Sequence, residues 1–483
     1  MDKINYKSLR MKAGLELHMQ LDTHKLFCKC PTSMKEKNPV KSVVRKLHPV
    51  ASELGEIDTA AEFEYLRDRT FQYQVFNSES CLVELDEEPP HEINPEALEI
   101  GLRIALMLNC EIPNEIHVMR KIVIDGSNTS GFQRTAIIGL NGWISYKGSR
   151  IPITQISLEE DASAIVGEQS GNVIYRLNRL GVPLVEIDTG ILENFTPEQI
   201  QEIAYLIGIT ARSTGKTKVG IGSIRQDLNV SIRNGPRIEV KGVQELGLLS
   251  KVIQFEVQRQ MKEKPKEETR GANLDGTTRY LRPLPGRGRM YPESDLMPIQ
   301  VTKEFVESLK KNLPESWISK IERFKTKLKL PDTLAKEIVS SEYLYLFEKV
   351  VEKTNADAVV VANTLTSIVK DLERREKIEI DRIQESRFLE LFDHLGKRKI
   401  MKEAIPEILK YLATYPQNSV EDALRELNLK PLSVAEVRQI AEEILNQQPN
   451  IQFEKLYGIV MSKVRGKIDA QEAMKIVKSL MKK

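Results

Sequence analysis

Residues 14–20 read Gly14-Leu15-Glu16-Leu17-His18-Met19-Gln20, and their alternation decides the fold class. Successive side chains of a strand point to opposite faces. Leu15, Leu17 and Met19 therefore share one face, and Glu16, His18 and Gln20 the other. The same arithmetic groups Asp227 with Asn229 and Ser231, Glu239 with Lys241, and Glu186 with Asp188. One strand with a polar face is ordinary, because antiparallel sheets often leave one side in water. Several strands carrying carboxylates predict a sheet whose open face holds a divalent metal ion and phosphates.

A chain of 483 residues is expected to form about two to four domains. With a formal net charge of +2, no whole-molecule field marks a polyanion partner, so nucleic-acid contacts must come from local patches. The amino terminus lacks an apolar core of the signal-peptide kind. No stretch approaches the roughly 18 apolar residues a membrane span needs. Four cysteines in so long a chain make no disulfide framework. A cytoplasmic protein without a membrane partner is the expectation.

Residues 1–300 mix short strands with Gly, Pro and Asn turns and a few helices, which predicts one α+β domain around a mixed sheet. Helices are expected over 95–109, behind the cap pair Asn94-Pro95, and over 197–213, led by Thr196-Pro197. After Pro298 glycine becomes rare, and residues 301–415 read as a helical domain, with helices over 333–351 and 387–395. A turn at Tyr415-Pro416-Gln417-Asn418-Ser419 opens a small helical tail, 416–483. Its last 33 residues hold eight Lys/Arg against three Asp/Glu. That excess is either a solvated basic face or a contact for a phosphate backbone, where cations gain by releasing counterions.

Several motifs invite readings the spacing refuses. Gly215-Lys216-Thr217 is no nucleotide loop, because the pattern needs glycine where Thr210 stands. Cys28-Lys29-Cys30 lacks the spacing and the second pair of a zinc site, and reads as buried thiols. No Ser-His-Asp or Cys-His arrangement is legible. Glu16 beside His18 is a combination metal sites use. The run Asp125-Gly126-Ser127-Asn128-Thr129-Ser130 offers hydroxyls and successive N–H groups to phosphate oxygens, or is a polar hairpin loop. Arg120 and Lys121 would add cationic charge to it. Arg279, Arg282, Arg287 and Arg289 are bidentate clamps for phosphate or carboxylate, or a basic surface loop.

In this order the motifs are GLELHMQLDTHKLFCKCP (14–31), CLVELDEEPPH (81–91), IDGSNTSGFQRT (124–135), NRLGVPLVEI (178–187), GIGSIRQDLNVS (220–231) and RMYPESD (289–295). Together they make the chain resemble, nearly end to end, the GatB/GatE family of the glutamyl-tRNA(Gln) amidotransferases, the archaeal GatE type in particular. The resemblance implies a catalytic cradle, then a helical domain, then a tail module that helps hold tRNA. It implies ATP-dependent phosphorylation of the glutamate side chain of Glu-tRNA(Gln), then amidation to Gln-tRNA(Gln). Ammonia would come from a partner, the asparaginase-like amidase of the same amidotransferase.

Carried over by position, the resemblance assigns Mg2+ to Glu16, His18, Glu160, Asp227 and Glu239, though alternation leaves Glu159 against Glu160 open. For ATP the residues themselves point to Arg120 and Lys121 with Ser127, Asn128 and Thr129, and to Arg282 and Arg289 for phosphate or the tRNA end. One departure stands out. The family's inserted domain, similar to one in bacterial aspartyl-tRNA synthetases, is missing, and 262–267 bridge its place. That puts the grip on tRNA in question and leaves the chemistry intact. A non-catalytic tRNA-binding scaffold and an unrelated metal-dependent hydrolase are the competing classes.

Overall fold

The alternation of residues 14–20 is realised in a strand, β1 (Lys12–Gln20), at the centre of an 11-stranded sheet. The computed structural model describes residues 4–51, 55–169, 171–218, 224–284, 290–429, 432–448, 451–464 and 466–481. Arg287, Arg289, Arg465 and the start of the 220–231 motif lie outside them. The other principal strands are β2 (Val118–Ile122), β3 (Phe132–Tyr146), β4 (Ser149–Glu160), β5 (Pro183–Thr189) and β6 (Ile224–Ser231). They continue with β7 (Ile238–Val243), β8 (Glu268–Ala272), β9 (Thr278–Pro283) and β10 (Met290–Pro292). In space they run β9-β8-β7-β6-β1-β5-β4-β3-β2-β10, and Leu192–Glu193 pairs with the start of β1. All these pairings are antiparallel except β7 with β8, so the sheet is mixed and the fold is α+β.

One face of the sheet is apolar. Leu15, Leu17 and Met19 of β1, Val185 and Ile187 of β5, Ile156 and Leu158 of β4 and Leu228 and Val230 of β6 are fully buried in one cluster. Each such side chain contributes about 1.5–3 kcal/mol on leaving water. The helices that pack there include α1 (Pro95–Met107), α2 (Pro197–Arg212) and α3 (Leu249–Glu263). α1 lies against β3 and β4, α2 against β1, and α3 against β6. Asn94 caps α1 by accepting from the Glu96 and Ala97 N–H groups, and Thr196 with Gln199 forms a capping box on α2. Both helices end slightly short of the expected limits, at Met107 and Arg212. Beyond α2, Gly215 takes a left-handed turn (φ +68°) back toward the sheet, which is the role of the refused Gly-Lys-Thr motif.

With the open face thus left to polar side chains, a second, four-stranded sheet stands apart (Lys41–Arg45, Thr70–Val75, Asn172–Arg176 and Ala164–Gln169). Tyr73 and Tyr175 of this sheet donate to the Gly126 and Asp125 carbonyls at 2.8 Å each, tying it to the 125–130 loop. After α3, Lys264 is left-handed (φ +45°) and β8 begins at Glu268, so the bridge in place of an insertion is a short turn.

The chain divides into compact units Met1–Ser316 and Trp317–Lys483. The expected boundary at 300 falls too early. The helix Lys303–Lys311 belongs to the first unit, because Val301 and Leu309 join its apolar cluster. In the second unit the helix expected over 333–351 is two, Asp332–Val339 and Leu344–Lys353. Between them the Ser341 hydroxyl donates to the Ile338 carbonyl and accepts the Tyr343 N–H, local bonds that compete with helix. The end of the chain has an apolar cluster of its own, from Val437 to Val477.

Candidate active site

On the open face, register turns sequence spacing into neighbours. Glu16 stands opposite Asp227 on one side and Asp188 on the other; His18 stands opposite Arg225 and Glu186. Two triads result, each with potential donor atoms within 4.8 Å of one another: Glu16, Asp227 and Glu239, and His18, Glu159 and Glu186. The first spans adjacent strands β7, β6 and β1, the second β1, β5 and β4. β1 thus feeds both, through residues two apart.

In the first triad the carboxylates are fixed by neutral donors. Asn229 Nδ2 donates to Glu16 Oε1 (3.0 Å), the Gly242 N–H to Asp227 Oδ1 (2.9 Å), and Thr269 Oγ1 to Glu239 Oε2 (2.7 Å). The Gly242 bond needs a β-bulge: Gln226 faces Val243 and Leu228 faces Val240, leaving Lys241 and Gly242 opposite Asp227 alone. Gly242 accommodates the bulge at φ +77°. Lys241 Nζ lies 3.0 Å from both Asp227 Oδ2 and Glu239 Oε1. Burial pushes the Asp227 and Glu239 carboxyls up, yet Lys241 and their hydrogen bonds outweigh it and hold both below the usual range. For Glu16 burial wins, helped by Glu186, Asp227 and Glu239, and its carboxyl is raised. Asp188 is raised to about 8 by burial and by Glu186 and Glu16.

The second triad is held by charge. His18 Nε2 and Glu186 Oε2 are 2.7 Å apart, and Lys121 Nζ is 2.9 Å from Glu159 Oε1 and 3.9 Å from Glu186. Thr135 Oγ1 and Gln133 Nε2 also donate to Glu159. Burial alone would lower the His18 pKa, but the Glu186 contact outweighs it and raises it to about 9. Glu186 is correspondingly depressed.

Of the five residues expected at a metal, Glu16, His18, Asp227 and Glu239 stand in these triads. Glu160 does not. It accepts from the Arg134 N–H (3.1 Å) and Nη1 (3.2 Å), and Arg134 Nε donates to Glu293 (2.8 Å). The strand persists through Glu160, so alternation puts Glu160 with Leu158 and Ile156, and Glu159 with Ser157 on the open face. Among residues expected at ATP, only Lys121 reaches a triad. Arg120 pairs with Glu293 and Asp295 and lies over the Phe132 ring at 4.6 Å. Ser127 donates to Asp125 Oδ1, Thr129 Oγ1 to the Glu84 carbonyl, and Asn128 is buried. Arg282 Nη1 sits 3.8 Å from Asp125 at that loop.

An oxygen-seeking divalent ion suits the first triad on its donors: three carboxylates fixed from behind by neutral groups. Nearby, Asp188 Oδ1 is buried with no hydrogen-bond partner among the described residues. A third donor set joins the cysteines of 28–30 to a segment the sequence left as an open question, with Glu84 as the member the spacing did not suggest. Cys81 and Glu84 fold against Cys28 and Cys30 with donor atoms within 4.8 Å. Cys28 Sγ donates to Glu84 Oε1 at 2.9 Å, and buried Lys25 lies 3.4 Å from Glu84. Thiolates with a carboxylate are donors zinc accepts.

A one-sided sheet with carboxylate triads on its open face, each touched by a lysine, defines the class: a clustered acidic site whose donors are those a divalent cation takes. The family comparison agrees. The GatB/GatE catalytic domain model matches residues 11–307 and the GatB domain model residues 345–481. The GatE-type chain of the glutamyl-tRNA(Gln) amidotransferase of Methanocaldococcus jannaschii is 36% identical over 626 positions, covering 100% of this chain and 99% of the relative. Its counterparts in Aeropyrum pernix and Saccharolobus solfataricus are each 34% identical, covering 99% and 100% of this chain and 98% and 99% of their own lengths. The chain belongs to the GatB/GatE family. Alignments of 626 positions against 483 residues mean that the relative carries sequence this chain lacks.

Proposed function

We propose that this chain is the component of a tRNA-dependent amidotransferase that phosphorylates the side-chain carboxylate of Glu-tRNA(Gln) with ATP and amidates it with ammonia, giving Gln-tRNA(Gln). The observation that carries the reading is the convergence of Glu16, Asp227 and Glu239 on one open sheet face, in a chain matched end to end by GatE-type relatives. A carboxylate is a poor electrophile, and an acyl phosphate supplies the leaving group ammonia needs. Such transfer depends on positioning and on neutralising phosphate oxygens.

Glu16, Asp227 and Glu239 would hold Mg2+, which when bound supplies that neutralisation. His18, Glu159 and Glu186 form a second donor set beside them, with Glu159 taking the place expected of Glu160. Glu186 fixes the His18 ring through the 2.7 Å contact. Lys121 is the nucleotide-side cation best placed to meet phosphate. Arg120, Ser127, Asn128 and Thr129 shape the adjoining wall, their side chains engaged in holding the loop and β2. Ammonia is assigned to a partner amidase of the asparaginase-like type, and the complex works on translation in the cytoplasm. The basic end of the chain is assigned to the tRNA.

The test is an assay of the full chain with Glu-tRNA(Gln), ATP, magnesium and an ammonium salt, with and without the partner amidase. Gln-tRNA(Gln) forms from the ammonium salt alone, and ATP consumption rises on adding Glu-tRNA(Gln). A scaffold consumes no ATP, and a hydrolase turns over without it.

A further inference from the structure

The first triad carries its own cation, and its hydrogen bonds suggest what that cation is for. Each carboxylate is anchored through one oxygen by a neutral group: Asn229 on Glu16 Oε1, the Gly242 N–H on Asp227 Oδ1, Thr269 on Glu239 Oε2. Lys241 Nζ takes the opposite oxygens, Asp227 Oδ2 and Glu239 Oε1, at 3.0 Å each. We propose that Lys241 is a displaceable internal cation: it holds the triad together while no divalent ion is bound, yields those oxygens to the ion, and then presents its ammonium to the phosphoryl group in transfer.

The inference rests on the triad's reading as a metal site and deepens it. A divalent ion held by this triad would compete with the Lys241 ammonium for the charge of Asp227 Oδ2 and Glu239 Oε1, and the two like charges would repel one another at that distance. Removing the lysine leaves the neutral anchors intact, so the carboxylates keep their positions. The Lys241 side chain is 35% exposed, against 11% for Lys121, so part of it borders solvent.

The experiment measures Mn2+ binding to the full chain by electron paramagnetic resonance, with Asp227→Asn identifying the signal of this site. Lys241→Met removes the competitor and is expected to tighten Mn2+ binding about tenfold, while lowering Tm in EDTA and regaining it with Mn2+. Lys241→Arg keeps a cation with more donors and is expected to weaken binding. Unchanged or weaker affinity in Lys241→Met overturns the proposal. Should that variant not fold, unchanged affinity in Lys241→Arg does the same. If the wild type and both variants bind no Mn2+ at the Asp227-dependent site, the metal reading itself falls, an outcome distinct from equal binding by all three.

Discussion

The two triads of the open face share β1 and are built from similar residues, yet they are held differently. Glu16, Asp227 and Glu239 are anchored by an amide, a backbone N–H and a hydroxyl, with a partly exposed lysine in front. His18, Glu159 and Glu186 are tied to each other and to the more buried Lys121 by charge. In the first triad the neutral anchors take one oxygen of each carboxylate and leave the other to a cation, a place Lys241 fills at Asp227 and Glu239. In the second, Glu186 is spent on His18 and Lys121 inside the site. The sheet supplies acidic groups to both places, and the neighbours decide which of them is offered outward.

Breaking the outward-facing triad has the largest expected effect. Asp227→Asn or Glu239→Gln, which keep shape and remove charge, should lower ATP-dependent amidation roughly 10³-fold with ammonium salt supplied and an unchanged circular dichroism spectrum. Wild-type turnover in either variant removes its assigned role.

Glu159 and Glu160 separate the inward from the outward logic. Glu160→Gln leaves Arg134 half-paired in a nearly dry site and should cost about 3–5 kcal/mol of stability, read from urea unfolding. Glu159→Gln should instead lower turnover with a smaller change in stability. Equal behaviour of the two would erase the distinction between the faces.

The charge-held triad should show itself in pH dependence. His18 has its folded pKa raised to about 9 from 6.5. The stability it contributes is full below pH 6.5 and disappears as pH rises through about 9. In EDTA, His18→Gln should remove about 3 kcal/mol of that fall, leaving a flatter unfolding profile between pH 6.5 and 9.

Asp188 works in the opposite sense. Its carboxyl is raised to about 8, so ionisation costs the folded state increasingly as pH climbs from the unfolded value to about 8, and the cost is constant above that. Asp188→Asn should raise Tm by about 3 °C at pH 9 and leave it unchanged at pH 4.

Much of this was readable in the chain. Period-two alternation placed Glu16, His18 and Gln20 together, and likewise Glu186 with Asp188 and Glu239 with Lys241, because strand geometry is local. The same rule, carried two residues further along β4, assigns Glu159 to the open face through Ser157 and Glu160 to the face of Leu158, once the strand is known to run through Glu160. Two features lay beyond such reasoning. The bulge that sets Lys241 and Gly242 against Asp227 depends on how two strands pair, and the meeting of Cys81 and Glu84 with Cys28 and Cys30 depends on a loop returning across more than 50 residues. The end of the first unit was hidden likewise, since the helix Lys303–Lys311 is amphipathic in sequence and only packing shows which core it joins.

The most direct measurement is anomalous scattering from crystals grown with Mn2+ and a non-hydrolysable ATP analogue. The expected result is an anomalous peak among Glu16, Asp227 and Glu239, which would hold the ion, with Lys241 turned away. A peak elsewhere, with Lys241 still bridging Asp227 Oδ2 and Glu239 Oε1, would contradict the account.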